Sequence, residues 1–229
     1  MNSKILIIGS SGVLGSKLKT IFKDCYCPSK KELDIRNNII NSKFFKNHDC
    51  KKIKTIINCA AIKNVEKCEK EKIEALKTNA IGTYNLAIFC EKIKAKLVYI
   101  STDYVFKGDK GNYKKNDLVG PINYYGETKL AGEIITKSIK KHLIIRLSFS
   151  EDEFPYDYAF SDQIATKIKV STAANEIFEL VKNNATGIRH LVGKKQSVYN
   201  FAKETNKKVK KISLRSINDK LRPRNCSLK

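Results

Sequence analysis

No stretch of the chain approaches the ~20 consecutive apolar residues that a membrane span needs, which excludes a spanning helix. The opening Met1-Asn2-Ser3-Lys4 lacks the charged, apolar and small-residue succession of an export signal, so a soluble cytoplasmic protein is expected. Arginine is scarce and scattered, at positions 36, 146, 189, 215, 222 and 224. Base readout leans on arginine and on clustered aromatic platforms. The net charge of +22 is therefore read as solvated lysine faces rather than a nucleic-acid footprint. The seven cysteines have no zinc-site spacing, so reduced structural thiols and no metal are expected. Internal repeats and low-complexity linkers are also missing.

What is present is a chain of 229 residues, 41% hydrophobic, long enough for one domain with a real core and a small lobe. Lys4-Ile5-Leu6-Ile7-Ile8 reads as a strand buried on both faces. It runs into Gly9-Ser10-Ser11-Gly12-Val13-Leu14-Gly15 and then an amphipathic helix ending near Lys23. Glycines at this spacing permit a tight turn, close approach to a pyrophosphate and close helix–strand packing. The helix N-terminus then offers free N–H groups to the anion. A second strand is expected at Cys25-Tyr26-Cys27, followed by Ser29, Lys30 and Lys31 where an acid would favour NADH. A serine and lysines there suit a 2′-phosphate, so NADPH is preferred.

A helix is expected over 38–47 and buried strands over 53–59, 96–100 and 143–147. A long helix over 71–93 carries Asn79, which is assigned to the cofactor side. Further helices are expected over 173–183 and 197–206, with a strand over 187–192. Alternating strands and helices imply an α/β, Rossmann-like, doubly wound parallel sheet. The pattern weakens near residue 150, which divides a cofactor domain (1–150) from a small, shortened C-terminal α/β substrate lobe (151–229). The fourth strand delivers Ser101 to Phe106 at its C-terminal edge, where ligands bind in such sheets.

Tyr125 and Lys129 stand four apart, which on a helix puts them on one face. A neighbouring ammonium favours the phenolate, so the Tyr125 pKa is expected below its usual ~10. A phenol so tuned can exchange a proton near neutral pH.

Together, Gly9–Gly15, Asn58-Cys59-Ala60-Ala61, Ser101-Thr102-Asp103-Tyr104-Val105-Phe106 and Pro121–Lys129 carry a family resemblance. Gly187–Gly193 and Arg222-Pro223-Arg224-Asn225 extend it over nearly the whole chain. The chain resembles the extended short-chain dehydrogenase/reductases, within them the dTDP-4-dehydrorhamnose reductase-like proteins. The resemblance implies an NADP-dependent oxidoreductase that reduces a keto group on a nucleotide-linked deoxysugar. It implies Thr102, Tyr125 and Lys129 as catalytic residues. Gly9, Ser11, Gly12, Val13, Leu14 and Gly15 would cradle the dinucleotide, with Ser29 and Lys30 near its 2′-phosphate. Asp34 and Ile35 would lie by the adenine, and Ala60, Ala61 and Lys63 by the nicotinamide. Asp103, Val105 and Phe106 would face substrate, and Arg222 or Arg224 would clamp its diphosphate. Two departures stand out: Lys63 replaces a small or polar residue, and the chain is short between Leu147 and Lys169. Two other readings stay open: a sugar-nucleotide epimerase or dehydratase that recycles bound NAD, and an NADP-binding regulatory subunit without turnover. The fold also admits a homodimer, with no helix singled out.

Overall fold

The computed structural model describes residues 4–39 and 42–229. Its first half runs β1 (Lys4–Ile8), α1 (Val13–Ile21), β2 (Cys25–Tyr26), α2 (Lys43–Asn47) and β3 (Ile53–Asn58). It continues through α3 (Val65–Lys70), α4 (Lys72–Leu76), α5 (Gly82–Ile93), β4 (Lys96–Ile100), α6 (Tyr124–Lys137) and β5 (His142–Leu147). Then come β6 (Phe149–Ser150), β7 (Tyr158–Phe160), β8 (Ile164–Ala165), β9 (Ile168–Lys169) and α7 (Val170–Lys182). The chain closes with β10 (Gly187–Leu191), β11 (Gln196–Ser197), α8 (Val198–Thr205) and β12 (Lys210–Ile212).

Six strands form one parallel sheet in the order β10-β5-β4-β3-β1-β2. The order reverses between β1 and β3, the switch point at which such sheets bind ligands. The strands are apolar on both faces because both are covered. Ile7, Ile57, Val98, Leu143 and Ile145 pack with Leu14, Leu18, Ala173 and Ile177 from α1 and α7. Leu6, Ile8, Ile56 and Leu97 pack with Leu86, Phe89 and Cys90 from α5. Each fully buried Leu or Ile contributes about 1.5–3 kcal/mol of transfer free energy, so these two layers dominate the stability.

The helix expected over 71–93 is interrupted. It begins at Lys72, takes a wider π turn over Lys77–Ile81 and resumes as α5. Such insertions recur at functional sites. Here the turn sets Asn79 and Thr83 facing inward, both buried. Of the helix expected over 38–47, Lys43–Asn47 is helical, and residues 40 and 41 lie outside those described.

The second half divides in space. Residues 170–191 return to the large sheet: α7 covers α1 and β10 pairs with β5. The remaining segments make three two-stranded pairings, β6 with β9, β7 with β12 and β8 with β11. They enclose a small core of Phe154, Ala159, Ala165, Val198, Phe201, Ala202 and Val209. A fourth cluster joins Val105, Phe106 and Tyr113 to Cys226 and Leu228. Backbone bonds clasp the chain end there, Tyr113 N–H to Ser227 O at 2.8 Å and Lys229 N–H to Tyr113 O at 2.7 Å.

Candidate active site

β1 ends in a turn that only glycine fits. Gly9 has φ +77°, and a Cβ there would lie 2.7 Å from the Ala60 nitrogen. A Cβ on Gly15 would lie 2.2 Å from the Gly9 carbonyl oxygen. The start of α1 is therefore pressed against the turn, and the loop after β3 is pressed against it from the other side. Gly12 caps α1 in an extended conformation without a side-chain acceptor. The first-turn amides are left to a ligand or water, the arrangement that receives a phosphate. Ser11 is exposed at the rim, Leu14 is buried beneath it, and Val13 faces an adjoining cavity. The residues present fit a dinucleotide pyrophosphate.

That cavity, about 680 Å³, opens between the large sheet and the small lobe. The sheet side supplies Thr102, Asp103, Tyr104 and Tyr125, and the lobe supplies Phe154, Tyr156, Gln163 and Lys167. Thr102 leaves β4 as the cap of a single 3₁₀ turn, its hydroxyl accepting the Tyr104 N–H at 3.2 Å and donating to Asp103 Oδ1 at 3.0 Å. Asn123 caps α6 by accepting the Gly126 N–H at 2.7 Å, which fixes where Tyr125 begins its turn. A Cβ on Gly126 would meet the Tyr104 carbonyl at 2.4 Å. The bare glycine lets α6 approach the Thr102 turn, and Tyr125 and Thr102 line the same cavity.

Lys129 lies one helical turn behind Tyr125 and is 2% exposed. Its ammonium donates to the Ile100 carbonyl at 2.6 Å and stands 4.1 Å from the centre of the Tyr99 ring. Burial pushes its pKa down to about 7, partly opposed by Glu133 and Cys59. The expected lowering of the Tyr125 pKa is not what the structure gives. Burial pushes the phenol well above 10, with the nearby Thr102 hydroxyl acting against that. Desolvation outweighs the neighbouring ammonium because the ammonium is turned toward the β4 carbonyl.

Asp103 is 2% exposed, and burial raises its carboxyl to about 6 against the pull of Lys167 and the Thr102 hydroxyl. Lys167 donates to Ser148 Oγ at 2.9 Å and to the Phe149 carbonyl at 3.2 Å. Gln163 donates to the Tyr104 hydroxyl at 2.8 Å and to the Pro223 carbonyl at 3.1 Å, tying the lobe to the sheet edge.

Other expected contacts fall elsewhere. Val105 and Phe106 are fully buried, so neither faces substrate. The 3₁₀ turn swings them inward, where Phe106 stacks on Tyr113 at 4.3 Å. Asn79 is also not free for a cofactor. Its amide accepts from Ile62 N–H at 2.8 Å and donates to Ile62 O and Thr128 Oγ1 at 3.0 and 2.9 Å. It braces the loop after β3 against α6. Ile35 is buried against Gly82, and Asp34 is held by the Arg36 guanidinium, with Nη2 at 2.6 Å. Ser29 binds Glu32 through N–H and hydroxyl, both at 2.8 Å, and Lys30 is exposed beyond β2. Ala60 and Ala61 follow β3 half-buried, and Lys63 reaches the cavity mouth. Arg222 lines the cavity, but its guanidinium already pairs with Glu66 and Asp219; Arg224 pairs with Asp162 at 3.2 Å.

Sequence reading missed Gln163 and Lys167, which lie on the lobe where periodicity fades. It also missed the buried set behind Lys129: Ser101 donates to Glu133 at 2.6 Å, and Arg146 grips Glu133 at 2.7 and 2.8 Å. A lone arginine, Arg146, within the otherwise apolar run Leu143–Leu147 was the available signal.

Residues 3–154 match the family model described as RmlD substrate binding domain. A dTDP-4-dehydrorhamnose reductase of Mycolicibacterium smegmatis is 37% identical over 143 residues, covering 58% of this chain and 41% of that protein. The chain thus aligns with less than half the length of that curated relative. Among solved structures, a dTDP-4-dehydrorhamnose reductase from Clostridium acetobutylicum superposes with TM-score 0.88 at 31% identity, covering 99% of this chain and 90% of that one. One from Bacillus anthracis, in complex with NADP, gives TM-score 0.88 at 30% identity over 100% and 91%.

Proposed function

The chain belongs to the RmlD substrate binding domain family, and from that membership and the site we propose NADPH-dependent reduction of a keto group on a nucleotide-linked deoxysugar. One observation carries the reading: Thr102 from the end of β4 and Tyr125 from α6 meet at one cavity beside an uncapped glycine turn. Gly9, Gly12, Val13, Leu14 and Gly15 would hold the cofactor pyrophosphate. Lys30 would meet its 2′-phosphate, and Ala60, Ala61 and Lys63 its nicotinamide end. NADPH bound there supplies the hydride.

Tyr125 gives its phenolic proton to the carbonyl oxygen, and its raised pKa keeps that proton in place until negative charge develops on the substrate. Thr102 donates a hydrogen bond to the same oxygen and stabilises that charge. Lys129 places a cation one turn behind the phenol, and the resulting phenolate is the species it favours. The aromatic and lysine-bearing wall of the small lobe receives the nucleotide sugar. We assign that lobe to residues 149–169 and 196–228, with 170–191 belonging to the cofactor unit.

Loss of NADPH absorbance with a panel of nucleotide-linked 4-keto-6-deoxysugars tests the reading. Tyr125→Phe should lower kcat at least a hundredfold with little change in NADPH affinity; wild-type turnover by that variant would remove the proton-donor role. NADPH binding without any turnover would point instead to a regulatory subunit. The seven free thiols suit a reducing cytoplasm as the setting. The exposed Ile73, Ile81, Tyr84 and Ile88 along α4 and α5 support pairing of two copies. Light scattering of wild type and Tyr84→Glu reads that mass directly.

A further inference from the structure

Thr102 has one hydrogen and two lone pairs to distribute, and its hydrogen and one lone pair are already committed. Its oxygen accepts the Tyr104 N–H at 3.2 Å, its hydrogen goes to Asp103 Oδ1 at 3.0 Å, and Tyr125 lines the same cavity. With an ionised Asp103, which can only accept, the Thr102 hydrogen is held by the carboxylate and does not reach the cavity. With a protonated Asp103, the carboxylic acid donates to Thr102 instead. The Tyr104 N–H and the Asp103 O–H then fill both lone pairs. The Thr102 hydrogen is then released toward the cavity, where a substrate oxygen needs it.

We propose that Asp103 is a positioning residue that sets the direction of the Thr102 hydroxyl, with its acid form the productive one and Lys167 the group that sets the balance. The inference rests on the reductase reading above. Asp103 and Thr102 are 2% and 6% exposed, so protein surrounds most of each side chain. The groups facing Asp103 come from every neighbouring element: Lys167 from the lobe, Tyr104 beside it, Tyr125 on α6 and Cys226 near the chain end. Lys167 is the cation among them, and Lys63 at the cavity mouth repels it. Lys167 is held by Ser148 and the Phe149 carbonyl rather than by the carboxylate itself. It therefore biases the charge of Asp103 without occupying the oxygen that Thr102 uses.

Burial leaves the Asp103 carboxyl near 6, so both forms are accessible around neutrality. Single-turnover NADPH oxidation with a nucleotide-linked keto sugar, measured from pH 5 to 8, tests the proposal. The wild-type rate should fall about tenfold per pH unit above about 6. Asp103→Asn, whose amide donates to Thr102 at every pH, should lose that limb. Lys167→Met should move the limb upward by about one pH unit, read as the position of the limb at saturating sugar rather than as the absolute rate. A purely structural role for either residue would lower the rate without displacing the limb. A wild-type rate that is flat over this range overturns the proposal and leaves the reductase reading intact, as does an Asp103→Asn limb identical to wild type. Tight NADPH binding with no turnover at any pH overturns the reductase reading itself, and the proposal with it.

Discussion

The Lys129 ammonium stands 2.6 Å from the carbonyl oxygen of Ile100, at the last residue of β4. A cation is thereby tied to the same strand end that delivers Thr102. Tying it there requires burial, and burial brings its pKa down to about 7 from an ordinary value of 10.5. The unfolded chain therefore binds more protons than the folded one between pH 7 and 10.5. Stability contributed by this group rises with pH across that window and is lost as pH falls toward 7. The melting temperature of wild type relative to Lys129→Met should shift in favour of wild type between pH 7 and pH 9.5. A constant difference would mean that Lys129 keeps its proton in the fold.

Glu133 and Arg146 form a second buried charge relation behind the site, 2.7 Å apart and at most 2% exposed. Removing one partner strands the other in a medium of low dielectric. Glu133→Gln should lower stability by about 3–5 kcal/mol in urea unfolding. Replacing both by apolar residues of similar volume should recover much of that loss. A single variant within 1 kcal/mol of wild type would show that water reaches the pair.

At the glycine turn, Gly15→Ala places a methyl 2.2 Å from the Gly9 carbonyl oxygen, so α1 must move away. The amides of its first turn move with it. NADPH affinity, read from nicotinamide fluorescence, should fall at least tenfold, while the far-ultraviolet helix signal stays near wild type. Equal affinity would place the pyrophosphate elsewhere.

The sheet was legible because each buried strand declares itself locally: Lys4–Ile8 and Lys96–Ile100 are runs with few alternatives, and a glycine turn follows the first at once. The helix over 71–93 was less so, since an inserted residue in a π turn leaves apolar spacing almost unchanged. Orientation was the harder quantity. Val105 and Phe106 share a stretch with Thr102 and Asp103, yet one 3₁₀ turn sends the first two into the core and leaves the others at the cavity. Side-chain commitments were equally hidden. Nothing in the chain order announces that Asn79 is spent on Ile62 and Thr128, that Arg222 meets Glu66, or that Lys167 arrives opposite Asp103. Those facts depend on long-range folding, where residues far apart in sequence become neighbours.

β10 follows the lobe's first strands in the chain and yet lies beside β5 in the large sheet. A chain that leaves the sheet, builds the lobe's first strands and then returns cannot shed the lobe without opening that edge. Melting should thus occur in one step rather than two, with the β10 pairing to β5 lost in the same transition as the rest of the sheet. A ligand gripping only the glycine turn would then slow hydrogen exchange on the far side of the molecule as well.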